Sequence, residues 1–378
     1  MVAERFISAK LKFQGKLATV AIAVSFLVII VAVAVAAGVR REIRSGVAAI
    51  YGDIHIAPQS TFSAEPEPLR ADFLPSLEAI PEVSTVKTVV SRGGIVKRGD
   101  TVHGVIVKGF SGSGLGPMEV SVPRRLGEIT GLDKGDEMVC YFVGEKVKVR
   151  KFRIAAVHSD MLETDDNLIV YAPLEDLRRV CGWEEDQVSS VELTLTPAFR
   201  GKKMQDAVAD KVASALEGRP LIVTTSARSF PGLFDWLDLL DSNVLIILIL
   251  MTVVAGFNMV SGLLIMILKN IPVIGTLKTL GMDDRAIGRI YLRVSGSAAM
   301  KGLVIGNVLA MTFCFIQGTT HLIPLDPDNY FISFVPVSLN VPAILAADIA
   351  AYAGILLLTW LPAGIVSRLD PASTVKAD

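Results

Sequence analysis

The sequence predicts a membrane α-helical protein of four transmembrane helices, with one α+β extracytoplasmic domain inserted between the first and the second. Two observations predict it. Residues 17–39, 244–268, 294–316 and 341–366 form four strongly apolar runs, each long enough to cross a bilayer core of roughly 30 Å, which takes about 20 residues of helix. Between the first two runs, from about Glu42 to Asp235, the composition returns to that of a folded domain. The bulk numbers agree: 51% hydrophobic and 20% charged residues with a mean hydropathy of +0.52 exceed a soluble protein and fall short of a wholly buried transporter.

The first run is uncharged and follows Arg5, Lys10, Lys12 and Lys16. Ala36 and Ala37 would suit a cleavage site, but a signal h-region is only about 7–15 residues, so the run reads as an uncleaved anchor. Orientation follows from the later loops. The segment 269–293 carries Lys269, Lys278, Arg285, Arg289 and Arg293, whereas 318–340 has no Lys or Arg and contains Asp326 and Asp328. The positive-inside bias places the basic segment in the cytoplasm and the acidic loop outside. Arg40, Arg41 and Arg44, just beyond the first run, oppose this assignment. The expected order is a cytoplasmic N-terminus (1–16), first span (17–39), external domain with helical stalks (40–243), second span (244–268), cytoplasmic elbow (269–293), third span (294–317), external loop (318–340), fourth span (341–366) and cytoplasmic tail (367–378).

Within the external domain, 93–107 alternates apolar and polar residues on both sides of Arg98-Gly99-Asp100 and predicts a β-hairpin. The RGD tripeptide there is read as a turn that uses glycine's backbone freedom, not as an adhesive motif. Further strands are expected at 137–143, 146–157, 167–171 and 188–195. A helix is expected at 202–216, with Met204, Val208, Val212 and Leu216 on one stripe. Strands interspersed with helices predict one or two small α/β subdomains instead of a sandwich.

Little in this domain carries chemistry. His55, His103, His158 and His321 are scattered, and neither HExxH nor GxSxG occurs. The Ser/Gly loop 112–116 lacks the Lys-Ser/Thr of a phosphate cradle. Glu163, Asp165 and Asp166 read as a solvated acidic loop. Cys140, Cys181 and Cys314 have no ligand spacing, and a Cys140–Cys181 disulfide is left open. No catalytic residue and no metal site are expected, and a formal net charge of -1 gives no reason for a nucleic-acid partner. The domain reads as a docking module.

The basic elbow is the most informative segment. Asn270 and Pro272 suit the start of a short helix, Ile274, Leu277 and Leu280 fall near one face, and Gly281 suits its left-handed end. Asp283 is then expected to cap a second helix through Ile290. Such an amphipathic segment serves either as an interfacial anchor or as a helix fitting a groove on a cytoplasmic partner.

Ile274-Gly-Thr-Leu-Lys-Thr-Leu-Gly-Met resembles the IGxLKxLG signature of FtsX/MacB-type ABC permeases, and more narrowly the LolC/LolE lipoprotein-releasing permeases. Phe13-Gln-Gly-Lys-Leu before the first span, the strand pair 93–110, the loop 323–337 (Ile-Pro-Leu-Asp-Pro-Asp-Asn-Tyr-Phe through Val-Pro-Val) and the tail 361–372 (Leu-Pro-Ala-Gly-Ile-Val-Ser-Arg-Leu-Asp-Pro-Ala) extend the resemblance to the C-terminus. The run 151–165 also resembles a segment of the family, one residue shorter and with Ala156 and Asp160 where the family has glycines, and Asn329 departs in the loop.

The resemblance implies a MacB-like periplasmic core domain, an FtsX-like permease domain over 244–378, and a multi-pass protein of the bacterial inner membrane. It implies pairing with a second permease chain, as homodimer or heterodimer, and docking of two copies of a separate cytoplasmic ABC ATPase through Ile274, Gly275, Leu277, Lys278, Leu280 and Gly281. No GxxxxGK[ST] occurs, so this chain is expected to bind no cofactor, and ATP and magnesium are expected to be used by the partner ATPase. The implied work is extraction of lipoproteins toward a periplasmic carrier, with Phe26, Ile30, Met251 and Phe257 at an acyl-chain crevice facing membrane lipids. Two alternatives within the superfamily are a MacB-like mechanotransmission exporter and an FtsX-like regulator of a periplasmic cell-wall hydrolase. A membrane-anchored enzyme is the third reading, and the missing catalytic constellation opposes it.

Two charges fall inside apolar runs. Lys301 is expected to snorkel from the cytoplasmic end of the third span. Asp348, about 10 Å in from the outer end of the fourth, is expected to face protein or water and not to pair with Lys301.

Overall fold

A computed structural model of the chain describes residues 15–59, 66–99, 101–144, 146–159, 168–325, 332 and 334–363. In order, the elements are α1 (Gly15–Tyr51), β1 (Ile54–Pro58), β2 (Leu69–Arg70), α2 (Leu74–Glu78), β3 (Val83–Arg98), β4 (Thr101–Phe110), β5 (Glu119–Pro123) and α3 (Arg124–Thr130). Next come β6 (Glu137–Phe142), β7 (Lys148–His158), β8 (Ile169–Pro173), α4 (Leu174–Cys181), β9 (Gln187–Val188), β10 (Ser190–Leu195), α5 (Lys202–Ala215), β11 (Leu221–Thr225) and α6 (Ser226–Ser229). Four more helices follow among the described residues: α7 (Pro231–Lys269), α8 (Ile271–Thr279), α9 (Asp284–Thr320) and α10 (Val341–Ala363). The chain divides into two units. A helical unit draws on Met1–Arg41, Leu237–Asp326 and Ser333–Asp378, and a sheet unit on Glu42–Trp236 and Pro327–Ile332.

The sheet unit is built around one nine-stranded mixed sheet in the order β11-β1-β10-β3-β4-β8-β5-β7-β6, in which β6 also returns to pair with β3. The strands β3, β4, β8, β5, β7 and β6 therefore close on themselves as a barrel, and β10, β1 and β11 extend from β3 as an open sheet. The sixteen-residue β3 makes both possible. Its Val83–Val89 stretch pairs with β10, Val89–Arg98 with β4, and Ile95 and Val96 with Tyr141 and Cys140 of β6. Of the one or two small α/β subdomains expected, the chain forms one, because a single strand long enough to serve two sets of partners joins the barrel and the open sheet. Val96, Met138, Cys140, Phe142, Phe152 and Ile154 belong to the continuous buried core. The expected hairpins are present: Arg98 pairs with Thr101 across the turn at Gly99, and Glu137–Phe142 pairs with Lys148–Arg153.

One stripe differs from expectation. Val208, Val212 and Leu216 of the α5 segment are buried, but Met204 is 50% exposed and Gln205 is buried in its place. The reason is polar. Asp53 is buried where α1 gives way to β1, accepts the Leu195 amide at 2.7 Å, lies 3.3 Å from the Arg200 guanidinium and accepts from the Gln205 amide at 3.3 Å. A buried carboxylate needs such donors, since leaving one unsatisfied costs more than a packed methionine returns. Cys140 and Cys181 are free thiols. Cys140 is buried within the core, where burial pushes its thiol up to about 12.

In the helical unit, the four long helices α1, α7, α9 and α10 are each long and apolar enough to cross a membrane. They share one core of Ile22, Phe26 and Ile29 from α1, Ala255 and Met259 from α7, Ala299 from α9, and Ala347, Ala351 and Ile355 from α10. Small residues set the closest approach. A Cβ on Gly302 would lie 2.6 Å from Ile22 Cγ2, and one on Gly306 would lie 2.7 Å from Phe26 Cβ. These glycines are spaced four apart on α9, the spacing that lets two helix backbones meet. The segment after α9 is tied back by Gln317, which donates to Val335 O at 3.1 Å and accepts from Ile323 N at 3.2 Å. The second elbow helix, expected to run through Ile290, does not stop there: α9 runs unbroken from Asp284 to Thr320, since nothing between Ile290 and Val294 is a glycine or proline.

Arg5, Lys10, Lys12, Glu163, Asp165, Asp166, Asp326, Asp328 and the tail 367–378 lie outside the described residues.

Gly306→Val is expected to lower the thermal midpoint of the purified chain in detergent, because overpacking a filled contact costs about 1–3 kcal/mol. Gly262→Ala, whose Cβ would meet Ala18 Cβ at an ordinary 3.4 Å, is expected to leave that midpoint unchanged. A pH effect is expected in the sheet unit. His55 on β1 pairs with Glu192 on β10, beside the buried Lys108–Glu192 ion pair at 2.6 Å. Burial, and then the Lys108 charge, lower its pKa to about 4. The neutral ring is the folded form, so this contribution is complete above an unfolded pKa of about 6.5 and is lost as pH falls toward about 4. Denaturant titrations across that window should show a smaller acid loss for His55→Gln than for the parent.

Candidate functional site

The elbow is a short helix seated in the corner between two long ones. α7 ends at Lys269, and the Asn270 side chain donates back to Met266 O at 2.7 Å. Asn270 thus closes α7 and does not cap α8 with its side chain, as was expected. Pro272 occupies the first turn of α8, where its missing N–H has no partner to lose. Ile274 is 2% exposed and packs with Leu263, Met266 and Ile267 of α7 and Ile287 and Tyr291 of α9, with Leu277, Met282 and Val294 around them.

The end of α8 is a two-bond reversal. Gly281, at φ 85°, donates from its amide to Lys278 O at 3.0 Å, and Met282 N donates to Leu277 O at 3.0 Å. This pairing, with the Leu277–Met282 apolar contact beside it, is the Schellman closure that a left-handed glycine allows. The chain leaves it extended at Asp283, whose carbonyl accepts the first amides of α9, Ala286 N at 2.9 Å and Ile287 N at 3.1 Å. No side-chain cap bond forms there. Lys278 closes the corner electrostatically. Its ammonium lies 2.7 Å from Asp284 Oδ1, with the lysine side chain only 9% exposed.

The six residues expected at a docking surface therefore divide. Ile274 and Gly275 are buried, Leu277 is half-buried and Lys278 is held by Asp284. Leu280 is 78% exposed, with Gly281 exposed beside it and Val273 at 41%. Leu280 leaves the face shared by Ile274 and Leu277 for a geometric reason. Steps of three residues drift by about 60° each against a 3.6-residue turn, and Leu280 is already the C-cap.

The four residues expected at an acyl-chain crevice do not share one surface. Phe26 is packed in the four-helix core with Met251 at its margin, and Ile30 lies in a second cluster with Ala310 and Ile344. Phe257 faces outward at 64% exposure, on an α7 strip with Ile246, Leu250 and Val253. Asp348 is 5% exposed and accepts from the Asn307 amide at 2.7 Å, while Lys301 is exposed elsewhere on α9. Asn307, Gly302 and Gly306 went unremarked in the sequence. The signals available were a lone amide within an apolar run and a pair of small residues four apart. Among the described residues no group of three or more His, Cys, Asp or Glu side chains is placed to hold a metal ion.

Comparison with known proteins bears on this arrangement. Residues 17–211 match the MacB-like periplasmic core domain family, which is more than half of the 378 residues. Residues 245–371 match the FtsX-like permease C-terminal family. The chain is 25% identical to the lipoprotein-releasing system transmembrane protein LolE of Haemophilus influenzae, across 96% of this chain and 94% of that protein. It is 23% identical to the lipoprotein-releasing system transmembrane protein LolC of Xylella fastidiosa, across 98% of this chain and 97% of that one. Among solved structures, the periplasmic region of MacB from Actinobacillus actinomycetemcomitans aligns with a TM-score of 0.33 and 14% identity, over 48% of this chain and 91% of its own. With the core domain matched over 17–211 and the permease domain over 245–371, the chain belongs to the FtsX/MacB family of ABC transporter permeases.

Proposed function

We propose that this chain is the membrane-spanning subunit of an ABC transporter that releases lipoproteins from the bacterial inner membrane toward a periplasmic carrier. ATP hydrolysis takes place on two copies of a separate ATPase, which holds the nucleotide and magnesium, and a second permease chain completes the membrane unit. Near full-length similarity to proteins named LolE and LolC supports this substrate class over a MacB-like exporter or an FtsX-like hydrolase regulator. α1, α7, α9 and α10 span the bilayer with the sheet unit outside and α8 in the cytoplasm. Arg40, one of the three arginines that opposed that orientation in the sequence, forms an ion pair with Asp241 of α7, so one of those positive charges is matched by a carboxylate.

The observation that carries the proposal is the division of the elbow. Ile274, Gly275, Leu277 and Lys278 fix α8 in the corner of α7 and α9, while Leu280, Gly281 and Val273 present an apolar edge to the cytoplasm. The first set positions and the second docks, in the manner of a short helix end fitting a groove on a partner. A push on that edge reaches α7 and α9 directly, because Ile274 touches both. Coupling to ATP is required by the cargo: withdrawing acyl chains from a bilayer costs about 0.8 kcal/mol per CH₂. Of the four residues expected along the acyl path, Phe257 keeps that role in the proposal, on the exposed α7 strip, and Phe26, Ile30 and Met251 serve bundle packing.

Two substitutions separate docking from positioning. Leu280→Asp is expected to abolish co-purification of the ATPase while leaving the thermal midpoint of the permease unchanged. Ile274→Asp is expected to lower that midpoint, because it buries an unpaired carboxylate. ATPase recovery undiminished by Leu280→Asp would defeat the docking assignment.

A further inference from the structure

An open groove of about 670 Å³ runs between α9 and α10. Its volume lies in the range of roughly 300–1,000 Å³ that suits one small ligand. The floor is set by Gly296, buried on α9, whose carbonyl accepts the Tyr352 hydroxyl of α10 at 3.3 Å. Met300, Leu356 and Leu357 make the walls apolar, and the exposed Arg293 and Trp360 stand at one end. The groove is thus a one-ended amphiphile site, a slot for hydrocarbon with a guanidinium and an indole at its mouth.

We infer that this groove holds an anionic phospholipid, with its phosphate at Arg293 and one acyl chain along Gly296, Met300 and Leu356. The inference rests on the membrane-spanning reading and adds a lipid to it. Three features select this occupant. The open apolar slot lies between two helices that both span the bilayer, so hydrocarbon is what reaches it. The cation at its mouth is Arg293, so an anionic headgroup gains where a zwitterionic one does not; basic pockets between spans on the cytoplasmic side have this preference. Trp360, 67% exposed, supplies the amphipathic ring that favours the headgroup level. The site adjoins the elbow through α9, which carries Arg293 and Gly296 as well as the corner residues Ile287 and Tyr291. A lipid seated there braces α10 on the helix that α8 would move.

The test uses the full chain, reconstituted in bilayers of phosphatidylcholine containing one quarter phosphatidylglycerol, then extracted in mild detergent with co-purifying lipid quantified by mass spectrometry. The parent is expected to retain phosphatidylglycerol well above its share of the bilayer. Arg293→Gln is expected to lower that retention about five-fold, the equivalent of one surface cation. Arg293→Lys should keep most of it and Arg285→Gln should keep all of it. Equal retention by Arg293→Gln and the parent overturns the inference, as does retention of phosphatidylcholine in proportion to its abundance. Protection of the groove residues from labelling with no lipid retained also overturns it, since a protein chain would then be the cover. Resistance of the chain to alkaline carbonate extraction, measured on the same variants, reports the membrane-spanning reading separately.

Discussion

The corner closed by Ile274 is the contact on which the proposed coupling depends. A nine-residue helix joined to its neighbours by the single residue Asn270 on one side and a glycine turn on the other has little stability of its own. It holds its place because Ile274 is driven between α7 and α9, because Gly281 and Met282 return the last carbonyls of α8 to hydrogen bonds, and because Lys278 is neutralised by Asp284. With all three in place, the short helix is packed in the corner between the two long helices. Without the apolar wedge, the two ion-paired side chains would bridge a loop, and partly exposed pairs are worth about 1 kcal/mol or less.

The same economy of close contacts governs the bundle above the corner. Gly302 and Gly306 bring α9 onto α1, and Asn307, one residue on, answers the carboxylate of Asp348 on α10. Helices that have only dispersion and hydrogen bonds to hold them in lipid use small residues and polar pairs for this purpose. In the sheet unit the end of α1 is fastened to the fold through Asp53 and its ring of donors.

The sequence made some of this plain and concealed the rest, for physical reasons. Four long apolar runs are legible because the bilayer imposes a length and a hydropathy that few other environments demand. Strand alternation was legible wherever one face is buried and the other wet, as in 93–107. Barrel closure was not, since it depends on β3 having three partners, and pairing leaves no local mark on residues such as Ile95 and Val96. At the elbow, Pro272 and Gly281 announced the ends of α8 through their own backbone chemistry. Lys278 read as an exposed docking charge because its partner, Asp284, lies across a turn whose geometry is tertiary. Ile274, Leu277 and Leu280 read as one face because three-residue spacing only approximates a helical stripe. Asp348 announced itself by its cost, while Asn307 became visible only once α9 and α10 were placed side by side.

The central claim is that the exposed end of α8 touches the ATPase and that the outward strip of α7 does not. Photo-crosslinking in intact membranes tests it most directly, with a benzophenone side chain placed at position 280 in one variant and at position 257 in another. The account predicts an ultraviolet-dependent adduct between permease and ATPase from position 280 and none from position 257. An adduct confined to position 257, or none from position 280 in a complex that hydrolyses ATP, would contradict it.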